Sequence, residues 1–393
     1  MKIAVIGAGP AGSAITRVLM DYKEVQNLVV LDRNGAVLDE LKESFSGHPS
    51  LSRLRTFRVG MQERSSIITL VNGFDVMISA LPYQYNLEMT KIAIETGSHF
   101  LDLGGNDKVF EMQRKLDKQA EQNGSCILPN CGLAPGLLNI IAMNGFRQFE
   151  TVSSIEMMSG GLPVNPHPPL NHHLSFSAEA FLSEHLPPVL AVRDGRPVDL
   201  EPMSGLEPIT FQSRPEMTAL ETFYTGGHIS TLAYTLQGSV SNLSYKTIRH
   251  RGNHSVMQAL IELGLADDRI IDIGTSMTYK DFLIRKLRKR IPENLPDIVL
   301  AKVIIDGQNG SGGNSKKLRR TYELTYEYHP DDGHSAVMSC TALPTAHIAL
   351  MLARGEISAR PGVHPPEQIV PAESFLDAMK QYGIEISIHD SSA

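Results

Sequence analysis

The chain has 393 residues, 42% hydrophobic and 20% charged, with a net charge of −7, which is too long for one ordinary core and fits about two globular domains. A mildly acidic chain repels a phosphate backbone, and the basic run from Arg285 to Arg290 is short, so nucleic acid is excluded as an expected partner. The three cysteines, Cys126, Cys131 and Cys340, form no CxxC pair, so neither a disulfide framework nor a metal site is expected and a reducing compartment fits.

The first segment, KIAVI at 2–6, is a short apolar run suited to a strand buried on both faces. Gly7-Ala8-Gly9-Pro10-Ala11-Gly12 follows, then helical spacing through Ala14, Ile15, Val18 and Leu19, then a second apolar run at 28–31 ending in Asp32. Each part has a mechanical reason. Gly7 makes a tight turn, Gly9 lets backbone approach a pyrophosphate, Gly12 lets the helix pack on the strand, and the helix N-terminus offers free N–H groups to phosphate. Asp32, twenty residues past Gly12, stands where a carboxylate accepts from an adenosine ribose. The order strand, glycines, helix, strand, acid predicts a nicotinamide dinucleotide. The acid favours NAD, while Arg33 beside it leaves NADP open.

The alternation continues with strands predicted at 56–59, 75–80, 99–103 and 125–128, and helices at 87–95, stopping at Gly97, and at 108–122, stopping at Gly124. Repeated strand–helix units imply a Rossmann-type, doubly wound parallel sheet, whose ligands bind beyond the carboxyl ends of the strands. Cofactor contacts are therefore expected from Gly7, Gly9, Pro10, Ala11, Gly12, Asp32 and Arg33, and from the strand-end loops at Ala80-Leu81-Pro82, Gly104, Asn130 and Gly132.

Past Gly136 the texture changes. A helix is predicted at 137–146 and a strand at 152–157, then a Gly/Pro-rich segment at 160–170 and a short helix at 176–185. Strand-like runs at 189–193, 209–211, 239–248, 298–306 and 321–328 bunch together, with helices at 256–263 and 279–289, which suggests an α+β second domain with an open mixed sheet. Residues 309–315, rich in Gly, Ser and Asn, read as a hairpin or loop. Helices at 344–353 and 375–382 are expected to return to the nucleotide domain. The expected organisation is a Rossmann domain at 1–135, a substrate and dimerisation domain at 136–340 and C-terminal helices at 341–393. No charged n-region and apolar leader precedes the first strand, and no run reaches about 18 consecutive apolar residues. The expectation is a cytoplasmic protein with no membrane partner, and a homodimer or higher homo-oligomer, since an open sheet leaves an edge to cover.

The motifs GAGPAG (7–12), ISALPYQYNLEMTKIAIETGSHFLDLGG (78–105), PNCGLAPGLLNIIA (129–142), GGLPVNPHPPLNHHLSFSAE (160–179), ETFYTGGHISTL (221–232), YKTIRHRGN (245–253) and PGVHPPE (361–367) resemble the saccharopine dehydrogenase superfamily. Within it they look most like the L-lysine 6-dehydrogenase branch. The sequence departs from that branch at His250-Arg251-Gly252 and at Ala134. The resemblance implies NAD-linked oxidative deamination of an amino acid side-chain amine, L-lysine in that branch, to a semialdehyde that cyclises to a piperideine carboxylate. Two alternatives stay open: saccharopine-type cleavage of a secondary amine, and an NAD(P)-binding sensor without turnover.

Hydride removal from an amine carbon needs the nitrogen deprotonated first, and an amino acid carboxylate is best gripped by a forked guanidinium. Arg249, with Lys246 beside it, is the expected clamp for the small-molecule amine or amino acid substrate. Tyr83 or Tyr85 is placed to hydrogen-bond the amine or relay its proton. Asp102 and Glu221 are candidates to hold its charge or act as base, and Tyr224 is a candidate contact by the Gly226-Gly227 pair. Cys131 reads as pocket wall, since the chemistry has no acyl intermediate. His228 and His250 read as surface histidines.

Overall fold

The computed structural model describes residues 1–272, 274–293, 295–309 and 316–392. The chain forms two compact units. The first comprises Met1–Asn144, Ser230–Thr235 and Met338–Tyr382, and the second Gly145–Ile229, Leu236–Val337 and Gly383–Ala393. Of the glycine-rich segment expected as a hairpin or loop, residues 310–315 lie outside the described residues.

The first unit opens with β1 (Lys2–Ile6), α1 (Pro10–Met20), β2 (Asn27–Asp32), α2 (Gly35–Glu43), β3 (Leu54–Arg58), α3 (Arg64–Val71), β4 (Val76–Ser79), α4 (Asn86–Thr96), β5 (His99–Asp102), α5 (Asp107–Arg114), α6 (Asp117–Asn123), β6 (Cys126–Leu128) and α7 (Leu137–Phe146). Strand residues from Ile3 to Ile6 are wholly buried, as befits a strand covered on both faces. α4 and α6 stop at Gly97 and Gly124, whose φ angles of +70° and +72° suit glycine. The single helix expected at 108–122 is two helices, because the break at 115–116 turns Leu116 against the apolar core of this unit.

The second unit begins with β7 (Thr151–Pro163), α8 (Ala178–Ser183), β8 (Val189–Arg193), β9 (Arg196–Leu200), β10 (Glu207–Ile209) and β11 (Leu220–Tyr224). Next comes α9 (Ser230–Thr235), a segment of the first unit, followed by β12 (Asn242–His250), α10 (Asn253–Glu262), α11 (Tyr279–Arg290), β13 (Asp297–Asn309) and β14 (Lys316–Glu327). β7 runs on through Gly160 and Gly161, past the strand expected at 152–157 and into the Gly/Pro-rich segment at 160–170. A Cβ on Gly160 would stand 2.2 Å from the Ile248 carbonyl oxygen, and one on Gly161 would stand 1.9 Å from Val337 Cγ2. Both glycines therefore serve close approach within the sheet rather than a turn.

The chain then returns through α12 (Ala336–Ala353), β15 (Gly362–Val363), α13 (Pro366–Ile369) and α14 (Ala372–Gln381), and ends in β16 (Glu385–Ser392). α12 begins a full two turns before Pro344, which sits inside it; that proline is what marked the expected start. The helix is apolar all round and almost entirely buried.

One sheet is seven-stranded and wholly parallel, in the order β15-β6-β5-β4-β1-β2-β3. The chain order reverses between β1 and β4, the switch point at which doubly wound sheets bind ligands. The other sheet is nine-stranded and mixed, running β10-β11-β12-β7-β13-β14-β16, with β8 paired to β12 and β9 to β8. β12 and β7 are parallel and its other pairs antiparallel. This is the expected Rossmann sheet plus an open mixed sheet.

Candidate functional site

In the first unit, the β1–α1 turn is built by backbone proximity. Gly7 has φ +105°, and its N–H donates to the Leu31 carbonyl at 2.7 Å. A Cβ on Gly12 would lie 1.9 Å from the Gly7 carbonyl oxygen, and one on Gly7 would lie 2.9 Å from the Ala80 carbonyl oxygen and 3.2 Å from Leu81. Ala80 and Leu81 thus pack under the turn. Gly9 is different. A Cβ there would meet no atom within 4 Å, so its bare Cα faces open space at the start of α1, with Pro10 in the first turn. Asp32 accepts the Ala8 N–H and the Asn34 N–H, both at 2.8 Å, one on each oxygen, which leaves each oxygen acceptor capacity for a ribose hydroxyl. Beside it, a cavity of about 970 Å³ is lined by Arg33, Asn34, Gly35, Asp39, Arg58 and Glu63 among others. These residues fit a dinucleotide: open backbone for the pyrophosphate, a carboxylate for the ribose, and two guanidinium-bearing residues beside it.

The strand-end loops of this unit hold one another. Asp102 is fully buried and accepts from the Gly104 N–H (2.8 Å), the Asn130 N–H (3.0 Å) and Gln113 Nε2 (2.6 Å). Burial raises its pKa against those bonds. Its geometry ties the β5 and β6 loops together. Asn130 takes φ +66°, and a Cβ on Gly104 would stand 2.1 Å from Asn130 Oδ1. Gly132 bridges to Gly136. Cys131 is buried, and burial followed by the nearby Asp102 holds its thiol well above the ordinary range, so it stays protonated. Tyr83 and Tyr85 stand half-buried in a single 3-10 turn, their hydroxyls without a hydrogen bond among the described residues.

In the second unit, strand alternation separates two residues that sequence reading placed side by side. Lys246 and Arg249 are three apart on β12 and face opposite ways. Lys246 pairs with Glu156 at 3.0 Å and with Glu207, and its ammonium lies 5.0 Å from the Tyr224 ring centroid. Tyr224 in turn takes a hydrogen bond from Arg193 Nη2 at 2.8 Å. Glu221 stands opposite Arg249 in the β11–β12 register, and its oxygens accept the Gly252 N–H (3.1 Å) and the His254 N–H (2.8 Å). It caps α10.

Arg249 is at the centre of a buried polar group. Its Nη1 donates to the Ile248 carbonyl at 2.9 Å, its Nη2 lies 3.6 Å from Glu184 Oε2, and its Nε is buried with no partner among the described residues. Its guanidinium carbon sits 6.0 Å from the Phe181 ring, which stacks with His172 at 4.9 Å and tilts against His185 at 5.0 Å. Burial pushes the Glu184 carboxyl up to about 7 against the pull of Arg249. Burial, then Arg249, pushes His185 down to about 3. The His228 ring lies 4.0 Å from the Tyr245 ring, tilted by 30°, and Tyr245 shares a 2.7 Å hydrogen bond with Ser159. His250, read as a surface residue, is buried against the Pro163 carbonyl at 2.9 Å. Sequence reading missed Glu184, His185 and Tyr245. Glu184 and His185 follow the GGLP-to-SFSAE motif in sequence, the one signal that pointed near them.

Comparison with known proteins covers almost the whole chain. Residues 3–128 match the saccharopine dehydrogenase NADP binding domain, and residues 132–384 match the saccharopine dehydrogenase C-terminal domain. The first unit thus carries an NAD(P)-binding Rossmann domain. Alpha-aminoadipic semialdehyde synthase of Mus musculus, a mitochondrial protein, is 23% identical over 77% of this chain and 33% of its own length. The NADP-dependent, L-glutamate-forming saccharopine dehydrogenase of Schizosaccharomyces pombe is 21% identical over 68% of this chain and 58% of its own. The chain spans about a third of the length of the mammalian relatives it matches. In structure, the L-Glu-forming saccharopine dehydrogenase of Saccharomyces cerevisiae superposes with a TM-score of 0.78 at 17% identity, with all of both chains covered. The mouse, rat and bovine relatives are mitochondrial proteins, which overturns the cytoplasmic location expected from sequence.

Proposed function

Because this chain belongs to the saccharopine dehydrogenase family, we propose that it is an NAD(P)-dependent oxidoreductase acting on the amine carbon of an amino acid, with a saccharopine-type secondary amine as substrate. The relatives named for saccharopine and aminoadipic semialdehyde support the substrate. The observation that carries the amino acid assignment is Arg249, a buried guanidinium whose Nε has no protein partner among the described residues. A guanidinium in that state is suited to a carboxylate.

The bound nicotinamide supplies a hydride acceptor. The chain's own residues do the rest. Gly9 and the α1 N-terminus receive the pyrophosphate and Asp32 the ribose. Asp102 acts through the loops it ties together, as a positioning residue. Tyr83 and Tyr85 have hydroxyls available to meet the amine.

A second reading, oxidation of the primary side-chain amine of L-lysine, draws on a specific observation. A secondary amine joining two amino acids brings further carboxylates. Yet Arg214, whose Nε is likewise buried without a partner among the described residues, is held by Glu327 at 2.8 Å and Glu385 at 3.7 Å, and Arg251 is exposed, so neither repeats the weak 3.6 Å pairing of the buried Arg249. The deciding assay is reduced-cofactor formation at mildly alkaline pH with saccharopine, L-lysine, L-ornithine and polyamines, each with NAD and with NADP. Turnover with saccharopine, lost in Arg249→Ala, is the expected result. Turnover confined to L-lysine replaces the substrate. Cofactor binding with no amine-dependent reduction across the panel refutes the enzymatic reading in favour of a sensor.

A further inference from the structure

In the first unit, the loop from Asn130 to Gly136 turns directly into α7. The Leu137 N–H donates to the Gly132 carbonyl at 2.8 Å, and the Leu138 N–H to the Leu133 carbonyl at 3.0 Å. The first turn of α7 therefore fixes where the loop backbone lies. That turn carries Asn139, wholly buried, whose Nδ2 donates to Thr231 Oγ1 of α9 at 2.9 Å. A hydroxyl that accepts there keeps its one hydrogen to give, and Thr231 gives it to the Glu367 carboxyl. Thr235, one helical turn further along α9, accepts from Gln368 Nε2 at 3.2 Å and gives its hydrogen to Glu367 Oε1 at 3.0 Å. Two hydroxyls four apart on one helix face thus converge on one carboxyl. Glu367 is 1% exposed and follows β15, at the carboxyl end of the parallel sheet. The branch through Thr231 runs on to the loop, whereas the branch through Thr235 ends at Gln368, beside Glu367 itself.

We propose that Glu367 is a positioning residue for the cofactor-facing loop between β6 and α7, which it holds through Thr231 and Asn139. The inference rests on the reading above only in taking that loop, through Asn130 and Gly132, to face the cofactor. An ionised carboxyl accepts from both threonines by charge-assisted hydrogen bonds, whereas the neutral acid gives one oxygen over to its own hydrogen. The grip on the loop is therefore tighter when Glu367 is charged. The charged and titratable groups on the elements around it are Asp102 and Cys131 in the β5 and β6 loops, Cys126 of β6, Asp117 and His364 beside β15, and Cys340 and His347 of α12. Arg114 of α5 adds a guanidinium 3.6 Å from the centroid of the Tyr234 ring of α9. α7 carries none.

The test uses the full chain and a reduced cofactor, NADH or NADPH, whichever binds the more tightly, with affinity read from its fluorescence. Thr231→Val and Thr235→Val each remove one hydroxyl donor to Glu367, so both should lower the melting temperature. Only Thr231→Val cuts the path to Asn139. It should weaken the cofactor about tenfold, the factor carried by one buried hydrogen bond, while Thr235→Val stays within about twofold of the parent. Glu367→Gln adds a pH readout. Burial pushes the Glu367 carboxyl up to about 7, so it is mostly neutral at pH 6 and mostly charged at pH 8. The ratio of variant to parent dissociation constants should be near unity at pH 6 and about three- to tenfold at pH 8. Taking the ratio cancels the titration of the cofactor and of the neighbouring groups. Unchanged affinity in Thr231→Val, or equal weakening by the two valine variants, overturns the relay. A ratio that is the same at both pH values overturns it as well, whether or not a valine variant folds. Asn130→Gly, which suits the φ of +66° and strips the side chain from the loop, separates this inference from the reading beneath it. Weakening by Asn130→Gly but not by Thr231→Val sinks the relay alone. No weakening by either sinks the loop's contact with the cofactor too.

Discussion

Two glycines in one turn give opposite expectations, and the contrast tests whether the turn holds a pyrophosphate. At Gly12 a new Cβ would sit 1.9 Å from the Gly7 carbonyl oxygen and 2.8 Å from the Gly7 carbonyl carbon. Both are backbone atoms, so the β1–α1 turn must open. Gly12→Ala should cost about 1–3 kcal/mol or more, about 2–10 °C in melting temperature for a unit of this size. At Gly9 the new Cβ meets nothing within 4 Å, and the backbone, at φ −64° and ψ −175°, suits alanine. A slightly poorer N-cap and a less flexible unfolded chain should offset to within about 0.5 kcal/mol. The methyl group nevertheless occupies the approach to the α1 N-terminus. It should displace the pyrophosphate from at least one backbone N–H, a loss of roughly 1.5–3 kcal/mol, or about ten- to a hundredfold in affinity. Thermal melts and fluorescence titration with NADH and NADPH measure both quantities on each variant. A Gly9→Ala protein that binds both cofactors like the parent, or that loses stability as Gly12→Ala does, would refute the reasoning.

The cavity beside Asp32 predicts cofactor choice. The double variant Arg33→Ala, Arg58→Ala should weaken NADP about tenfold and leave NAD unchanged, and an equal loss for both would remove the 2′-phosphate assignment. Glu367, buried and bonded by Thr235 Oγ1 at 3.0 Å, has its carboxyl pushed from 4.5 up to about 7 by burial. The folded form therefore holds a proton that the unfolded form has lost. The stability this confers is fully present below about 4.5 and is lost as pH rises through about 7, roughly 3 kcal/mol across the window. Melting curves from pH 5 to 8 should show that fall, and Glu367→Gln should flatten it; an unchanged slope in the variant would refute the assignment. The nine-stranded sheet ends in β10 on one side and in β16 on the other, where Ile388 is 56% exposed. Sedimentation at micromolar concentration should give a homodimer or larger, and a monomer mass would count against it.

Much of the first unit was legible because its signals are local. Apolar runs bounded by glycine mark strands buried on both faces, and Gly97 and Gly124 end helices because only there does φ turn positive cheaply. The site of the second unit was legible only in part. Arg249 could be singled out by residue type, but its partner could not. Lys246, three residues away, was the obvious neighbour in sequence, and the pleat sends it to the other face, to Glu156 and Glu207. Glu184 comes from the end of a short helix 65 positions earlier, and no spacing rule links it to a strand residue. Glu221 and Asp102 were flagged as acids in suggestive places. A carboxylate that caps a helix or ties two loops has the same one-letter code as one that meets a substrate.

The sequence by itself determined the parallel nucleotide-binding sheet, the turn at Gly7-Gly9-Gly12 and the acid at Asp32, because strand, turn and helix there are contiguous and each residue's role follows from its own backbone. Tertiary structure alone decided that Gly160 and Gly161 belong inside a strand, that His250 is buried, and that Arg249 meets Glu184 on one side and the Phe181 ring beside His185 on the other. Those outcomes depend on which distant segments pack together and how far water is excluded between them, and that burial moves the Glu184 carboxyl up and the His185 imidazole down from their ordinary values.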